Sequence, residues 1–267
     1  MIKFKDIRSK VSKIFTENQQ MKIVLFISSV FWFFRKYFLG VDIKHQNEFL
    51  DNWNLIKSGS SLDKERSFTL YQLINLHNNF FKGIKTNLIE FGVSRGSSVS
   101  TICKFCKEDS EIFGVDSFGY FAKQIQEKSI GNYDKNYHDK SLAFSLEDRF
   151  KDFEVQNLYN KITSDKNFKN KKLTFIKCHF PTTLENKDRE LLENTKFSFC
   201  YIDFDLYQST IDVLSFIFDK LEKNAIVLID DYNFINQEGC KIAVDEFGLD
   251  LNKCIQTKSG QLIYFNV

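Results

Sequence analysis

The chain has almost no proline, one residue against eleven glycines and thirty phenylalanines. With abundant Lys, Asn and Ile, that balance reflects a biased genome more than a function. Excess charge of one sign is also missing. A formal net charge of +2 carries no general polyanion signal, so nucleic acid is not an expected partner. Cysteine is sparse and scattered, six residues in 267, which excludes a disulfide framework and suggests reduced thiols in a cytoplasmic setting. Cys103-x-x-Cys106 has no second pair or nearby His to complete a redox or metal site, and reads as buried apolar thiols. No apolar run is long enough to span a bilayer: Val24 to Phe34 covers eleven residues. No small-x-small cleavage site follows it, so it is a poor signal peptide. Internal repeats and low-complexity tracts are absent.

What remains is ample core for one large α/β domain with an appendage, since 43% of residues are hydrophobic and 27% charged. Residues 1–60 read as a helical N-terminal appendage. Phe4, Ile7, Val11, Ile14 and Phe15 recur at helical spacing, with Lys3, Lys5, Arg8, Lys10 and Lys13 on the other faces. Such a helix fits either a cap or dimer contact, which is the favoured reading, or peripheral contact with the inner face of a membrane. Asp42 to Ser60 is polar and is expected to cross the surface. Residues 61–267 alternate strand and helix. The helix over Ser61 to Phe80 carries an apolar stripe of Leu70, Leu73, Ile74 and Leu76. Strands are expected at Leu88–Val93, Glu111–Asp116, Lys172–Cys178, Phe197–Asp203 and Ala225–Asp230, with helices at Leu206–Leu221 and Glu238–Phe247. Cys254–Thr257 and Gln261–Phe265 form a terminal hairpin. The pattern predicts a doubly wound, mostly parallel Rossmann-like sheet with an antiparallel C-terminal hairpin strand. Ser117 to Lys171 reads as an inserted lid or as a solvated surface excursion.

The chemistry begins at Asn87 to Ser98, N-L-I-E-F-G-V-S-R-G-S-S. A buried strand runs into a glycine turn, and Ser97 and Ser98 offer N-cap hydroxyls to the next helix. A dinucleotide fingerprint wants G-x-G-x-x-G, but here the pattern is Glu90-x-Gly92-x-x-x-Gly96. A carboxylate beside a pyrophosphate is repelled, whereas a ligand with ammonium or sulfonium groups is stabilised. That points to S-adenosylmethionine, bound by Glu90, Gly92, Gly96 and Ser97. Asp116, twenty residues past Gly96, would accept the ribose hydroxyls. Ser117 adjoins it, and His179 and Phe180, after the third strand, would border the adenine.

Several segments resemble the macrocin O-methyltransferase-like family of class I methyltransferases. They are Ile89 to Ser98, Val115-Asp116-Ser117-Phe118, Tyr201-Ile202-Asp203-Phe204-Asp205-Leu206-Tyr207-Gln208-Ser209-Thr210, Ile229-Asp230-Asp231-Tyr232 and the Gly239 to Phe247 helix. Asp63 to Leu70, with Glu65-Arg66, resembles the helix before the first strand of that family. The likeness covers about Ser61 to Phe247, only loosely through the lid, and leaves out the first fifty residues. It implies a methyltransferase fold, S-adenosylmethionine on the first turn, and aspartates at two strand ends holding a divalent cation that helps methylate a hydroxyl, often on a sugar.

Read from the residues alone, Asp203, Asp230 and Asp231 lie at the carboxyl ends of two parallel strands. Carboxylates gathered there suit a hard cation such as Mg²⁺. Asp205 reads instead as the cap of the Leu206 helix, and Asp231 has a turn-capping alternative. Asp203 is taken as catalytic through the cation, which would orient and acidify the acceptor hydroxyl. Among four histidines, His138 in the lid is the candidate base, with an exposed surface role as its alternative. The expected partner is a small-molecule or glycan substrate, and a homodimer through the aromatic N-terminal helix is a further expectation. Two other classes share the fold, a nicotinamide-dependent oxidoreductase and a non-catalytic membrane-associated scaffold. Glu90 argues against the first and the strand-end aspartates against the second.

Overall fold

The computed structural model describes residues 43–56, 64–119, 152–233 and 238–267. Expectations for residues 1–41, for most of the lid and for His138 fall outside these. Helix α1 (Ile43–Ile56) precedes α2 (Lys64–Phe80), β1 (Thr86–Phe91), α3 (Ser97–Phe105), β2 (Ser110–Asp116) and α4 (Val155–Thr163). Then come β3 (Lys172–Lys177), α5 (Asn186–Glu193), β4 (Phe197–Ile202), α6 (Tyr207–Ile217), β5 (Leu221–Ile229), α7 (Glu238–Phe247), β6 (Cys254–Gln256) and β7 (Leu262–Asn266).

The seven strands form one sheet in the order β3-β2-β1-β4-β5-β7-β6. Neighbours from β3 to β5 are parallel, and β7 and β6 are antiparallel. Parallel strands covered on both faces must be apolar throughout. In β4 every residue from Phe197 to Ile202 is buried, and β1 shows the same continuous burial from Leu88. One core layer joins Ile89, Phe91, Val227 and Ile229 to Val213, Leu214 and Val244 on helices α6 and α7. The opposite layer joins Leu88, Phe199, Tyr201 and Leu228 to Leu70 and Ile74 of α2 and Val99 and Ile102 of α3. Each such aliphatic side chain, fully buried, contributes about 1.5–3 kcal/mol before entropy is counted. The order reverses between β1 and β4, where a doubly wound sheet opens a crevice at its carboxyl edge.

The 43–56 segment does not cross the surface as a polar loop. It forms α1, because Phe49 and Trp53, one helical turn apart, bury into an aromatic cluster with Phe68 and Tyr71 of α2. Asn52 also donates to Thr101 Oγ1 at 3.0 Å, tying α1 to α3. Helix α5 was not anticipated. It is polar along most of its length and buries Leu192 alone. Cys103 and Cys106 are buried free thiols, as expected, and burial pushes both upward in pKa. No helix among the described residues is long and apolar enough to cross a membrane.

Candidate active site

The carboxyl ends of β1, β2, β4 and β5 bring nearly all the sequence-predicted residues to one edge. After β1 the chain turns at Gly92 (φ 94°), Ser94 (φ 49°) and Gly96 (φ 85°). Backbone packing requires the glycine at 92, and the positive φ favours one at 96. A Cβ on Gly92 would stand 1.9 Å from the Asp203 carbonyl oxygen, and one on Gly96 would stand 2.5 Å from the Leu158 side chain. Gly92 thereby lets the ends of β1 and β4 close up, and the Asp203 N–H donates to the Phe91 carbonyl at 2.8 Å. Gly96 is the N-terminal flank of α3, and no side chain caps that helix. The hydroxyl of Ser98 is not a cap, because it donates to Glu90 Oε1 instead.

Glu90 is fully buried, not at an open edge. Its second oxygen finds no hydrogen-bond partner among the described residues. Burial pushes its carboxyl well above the usual range, and the Ser98 hydroxyl opposes the shift. Asp116 is held by local amides: Ser94 N–H donates to Oδ2 at 2.8 Å and Phe118 N–H to Oδ1 at 2.6 Å. Ser117 Oγ adds a longer bond of 3.4 Å to Asp116 Oδ1. Burial raises the Asp116 pKa against those donors. His179 is partly buried. Burial lowers its pKa while the charge of Asp116 raises it. Phe180 turns away into the core, edge-on to Phe91 at 5.0 Å and to Phe216 at 5.3 Å.

Across the switch point stands a second acidic group. Oxygens of Asp203, Asp205 and Asp231 all lie within 4.8 Å of one another. Leu206, not Asp205, occupies the N-cap position of α6, and Asp205 before it has a φ of 61°. The left-handed turn, which Asp tolerates better than most residues, carries Asp205 to the same edge as Asp203. Burial and the adjacent charge of Asp231 push Asp203 up to about 8, with the Arg66 guanidinium pulling the other way.

Asp230 stands apart from that group. Arg66 of α2 binds it through Nε to Oδ1 (3.1 Å) and through Nη2 to Oδ2. Gln261 Nε2 donates to the same Oδ1 at 2.6 Å, and Arg66 Nη2 reaches Asp231 Oδ1 at 2.5 Å. Of the sequence set, Asp203 and Asp231 lie in that group with Asp205, while Asp230 is paired with Arg66 and Gln261. Sequence reasoning missed the roles of Arg66 and Gln261. Tyr201, beside Glu90 in strand register, is fully buried with its hydroxyl unpartnered among the described residues. His77 lies elsewhere, buried, with its Nε2 2.8 Å from Ser198 Oγ.

A family model described as Macrocin-O-methyltransferase (TylF) matches residues 64–257. Among solved structures, the O-methyltransferase NovP is 19% identical with a TM-score of 0.57, over 78% of this chain and 82% of that one. The calicheamicin methyltransferase CalS11 is 17% identical with a TM-score of 0.50, over 84% of this chain and 93% of that one. At such identities these two likenesses concern the fold. The comparison with curated proteins returned no match. With most of its length matched to the family model, on a sheet whose switch point carries the glycine turn, the chain belongs to the macrocin O-methyltransferase family and is an S-adenosylmethionine-dependent O-methyltransferase.

Proposed function

We propose that the enzyme methylates a hydroxyl of a sugar, glycan or small metabolite with the help of a divalent cation. The observation that carries this reading is the cluster of Asp203, Asp205 and Asp231, within 4.8 Å, at the switch point beside the glycine turn. Its donors are all hard oxygens, suited to Mg²⁺. Burial first and then the charge of Asp231 raise Asp203, and a cation would relieve both. When bound, the cation supplies positive charge that acidifies and orients a hydroxyl. S-adenosylmethionine supplies an electrophilic methyl group on a sulfonium.

The chain's own residues do the rest. Glu90, Gly92, Gly96, Ser97, Asp116, Ser117 and His179 shape the cofactor half of the edge. The unpartnered oxygen of Glu90 is a buried acceptor that a cationic ligand or an ordered water completes. Asp116 presents an acid to a ribose. Phe180 supports this half from the core through Phe91. Asp203 lies where β1 and β4 meet, so it serves both halves, orienting the acceptor through the cation. His138, outside the described residues, is the proton acceptor to test.

We read residues 1–60 as an appendage to the 61–267 domain, contributing a dimer contact or a cytoplasmic-face membrane contact. The test is mass spectrometry of sugar and glycan acceptors after incubation with labelled S-adenosylmethionine, with and without EDTA. A labelled, cation-dependent methyl ether is expected. Full activity in EDTA overturns the cation, and no methylated sugar across a broad acceptor panel overturns the substrate class.

A further inference from the structure

Two buried polar groups without a partner among the described residues stand side by side. Glu90 of β1 and Tyr201 of β4 are register partners on adjacent parallel strands. Their side chains therefore leave the sheet on the same face, from backbones about 4.8 Å apart. Helices α2 and α3 cover that face: the layer that contains Tyr201 also holds Leu70 and Ile74 of α2 and Val99 and Ile102 of α3. Both Glu90 and Tyr201 are fully buried. One Glu90 oxygen accepts from the Ser98 hydroxyl, whereas Oε2 and the Tyr201 hydroxyl have no partner. Ser67 Oγ, one turn before Leu70 in α2, is a third such atom. Burial, and after it the charges of Asp203, Arg66, Glu90 and Asp231, act on the phenol, so it lies among the charged groups of this edge.

The pair is chemically complementary. A phenol has a proton to donate, and an ionised carboxylate only accepts. Leaving either one orphaned in the core is costly, and buried polar groups are almost always paired with protein or with ordered water. An internal water joins such groups where two to four polar atoms surround it, and the bond it transmits is nearly as strong as a direct one. We infer that Tyr201 is a positioning residue for Glu90: its hydroxyl donates through one internal water to Oε2 and fixes the carboxylate toward the positive charge of the cofactor. This rests on the reading of Glu90 as the acid that meets that charge. Ser98 holds one oxygen from α3 and Tyr201 the other from β4, so two elements set the plane of the carboxylate. Each carboxylate oxygen has two lone pairs, which leaves room for the cofactor. Tyr201 thereby serves the cofactor half, although its strand ends in Asp203.

The test compares two ligands by calorimetry on the full chain, with no acceptor present. S-adenosylmethionine carries an ammonium and a sulfonium, whereas 5′-methylthioadenosine keeps the nucleoside and carries neither. Tyr201→Phe is expected to weaken S-adenosylmethionine about tenfold and 5′-methylthioadenosine by less than about twofold, because only the hydrogen bond is lost. Glu90→Gln should weaken S-adenosylmethionine with the same selectivity. Adding Tyr201→Phe to it should cost no more than about threefold further, because the two act as one unit. Melting temperatures report folding, and Tyr201→Met, which fills space without a hydroxyl, replaces Tyr201→Phe where that variant does not fold. Equal affinity of wild type and Tyr201→Phe for S-adenosylmethionine overturns the inference. An equal loss for both ligands also overturns it, since a general defect of the fold would act that way. A further loss of about tenfold in the double variant overturns it too, because Tyr201 then acts apart from Glu90. Glu90→Gln protein that binds both ligands as the wild type does overturns the reading of Glu90 itself, a separate and recognisable result.

Discussion

The two halves of the carboxyl edge satisfy their acids in different ways. On the cofactor side, Glu90 takes its donor from Ser98, and Asp116 takes one of its two amides from Phe118, two residues on. On the acidic side, Asp230 and Asp231 depend on Arg66, 164 and 165 positions away in the chain, and Asp230 also on Gln261. The first half is thus built largely from one strand–turn–helix unit and its neighbour. The second exists only when α2, β4, β5 and the terminal hairpin are already in place. In the function proposed above, methyl transfer needs both, one half for the donor and the other for the acceptor.

The halves can be broken separately. The largest effect is expected for Asp203→Asn, which removes the group shared by cluster and acceptor. Methyl transfer should fall by on the order of 10²–10⁴-fold in an initial-rate assay, with the melting temperature nearly unchanged. Gly92→Ala breaks the joint between the halves instead. Its Cβ would meet the Asp203 carbonyl at 1.9 Å, and its φ of 94° is poorly tolerated by an L side chain. A loss of about 3 kcal/mol or more is expected by chemical denaturation.

His77 sits at the far end of β4 and separates whole-fold pH effects from those of the site. Burial lowers its pKa from 6.5 to about 4. The unfolded chain therefore takes up a proton between those values while the folded chain does not, so stability is full above pH 6.5 and falls as pH drops toward 4. The loss is roughly 3 kcal/mol. Glu90, Asp116 and Asp203 are raised and act with the opposite sign, losing stability as pH rises through their folded values. Comparing wild type with His77→Asn isolates the histidine, and the variant's acid-side decline should be shallower. The smallest effect is expected for Ser98→Ala. It removes the donor to Glu90 and should cost about 1–2 kcal/mol, with little change in cation affinity by calorimetry.

That difference in construction also decides what the sequence made legible. The apolar run of β1, the glycine turn and Asp116 are local patterns, and the mostly parallel sheet with antiparallel C-terminal strands that the strand–helix alternation implied is the one observed. Asp205 carries no local mark of its proximity to Asp203 and Asp231, since an Asp before a helix ordinarily caps it and the left-handed φ of 61° is not legible in the sequence. Ser98 was misread for a similar reason: a hydroxyl in the first helical turn found a buried carboxyl rather than a backbone N–H. Arg66 and Gln261 carry no local mark of their role, since their partner Asp230 is distant in the chain. Helix α1 hid in a polar segment, although the i, i+4 pair Phe49 and Trp53 was a usable signal.

In the function proposed above, one edge carries two separable sites, a cofactor turn and an acidic cation cluster, joined at Asp203. The most direct measurement is calorimetric titration of Asp203→Asn with S-adenosylhomocysteine and, separately, with Mn²⁺. Cofactor affinity should stay close to wild type, with no detectable Mn²⁺ binding. Loss of the cofactor with Mn²⁺ affinity retained would contradict that arrangement.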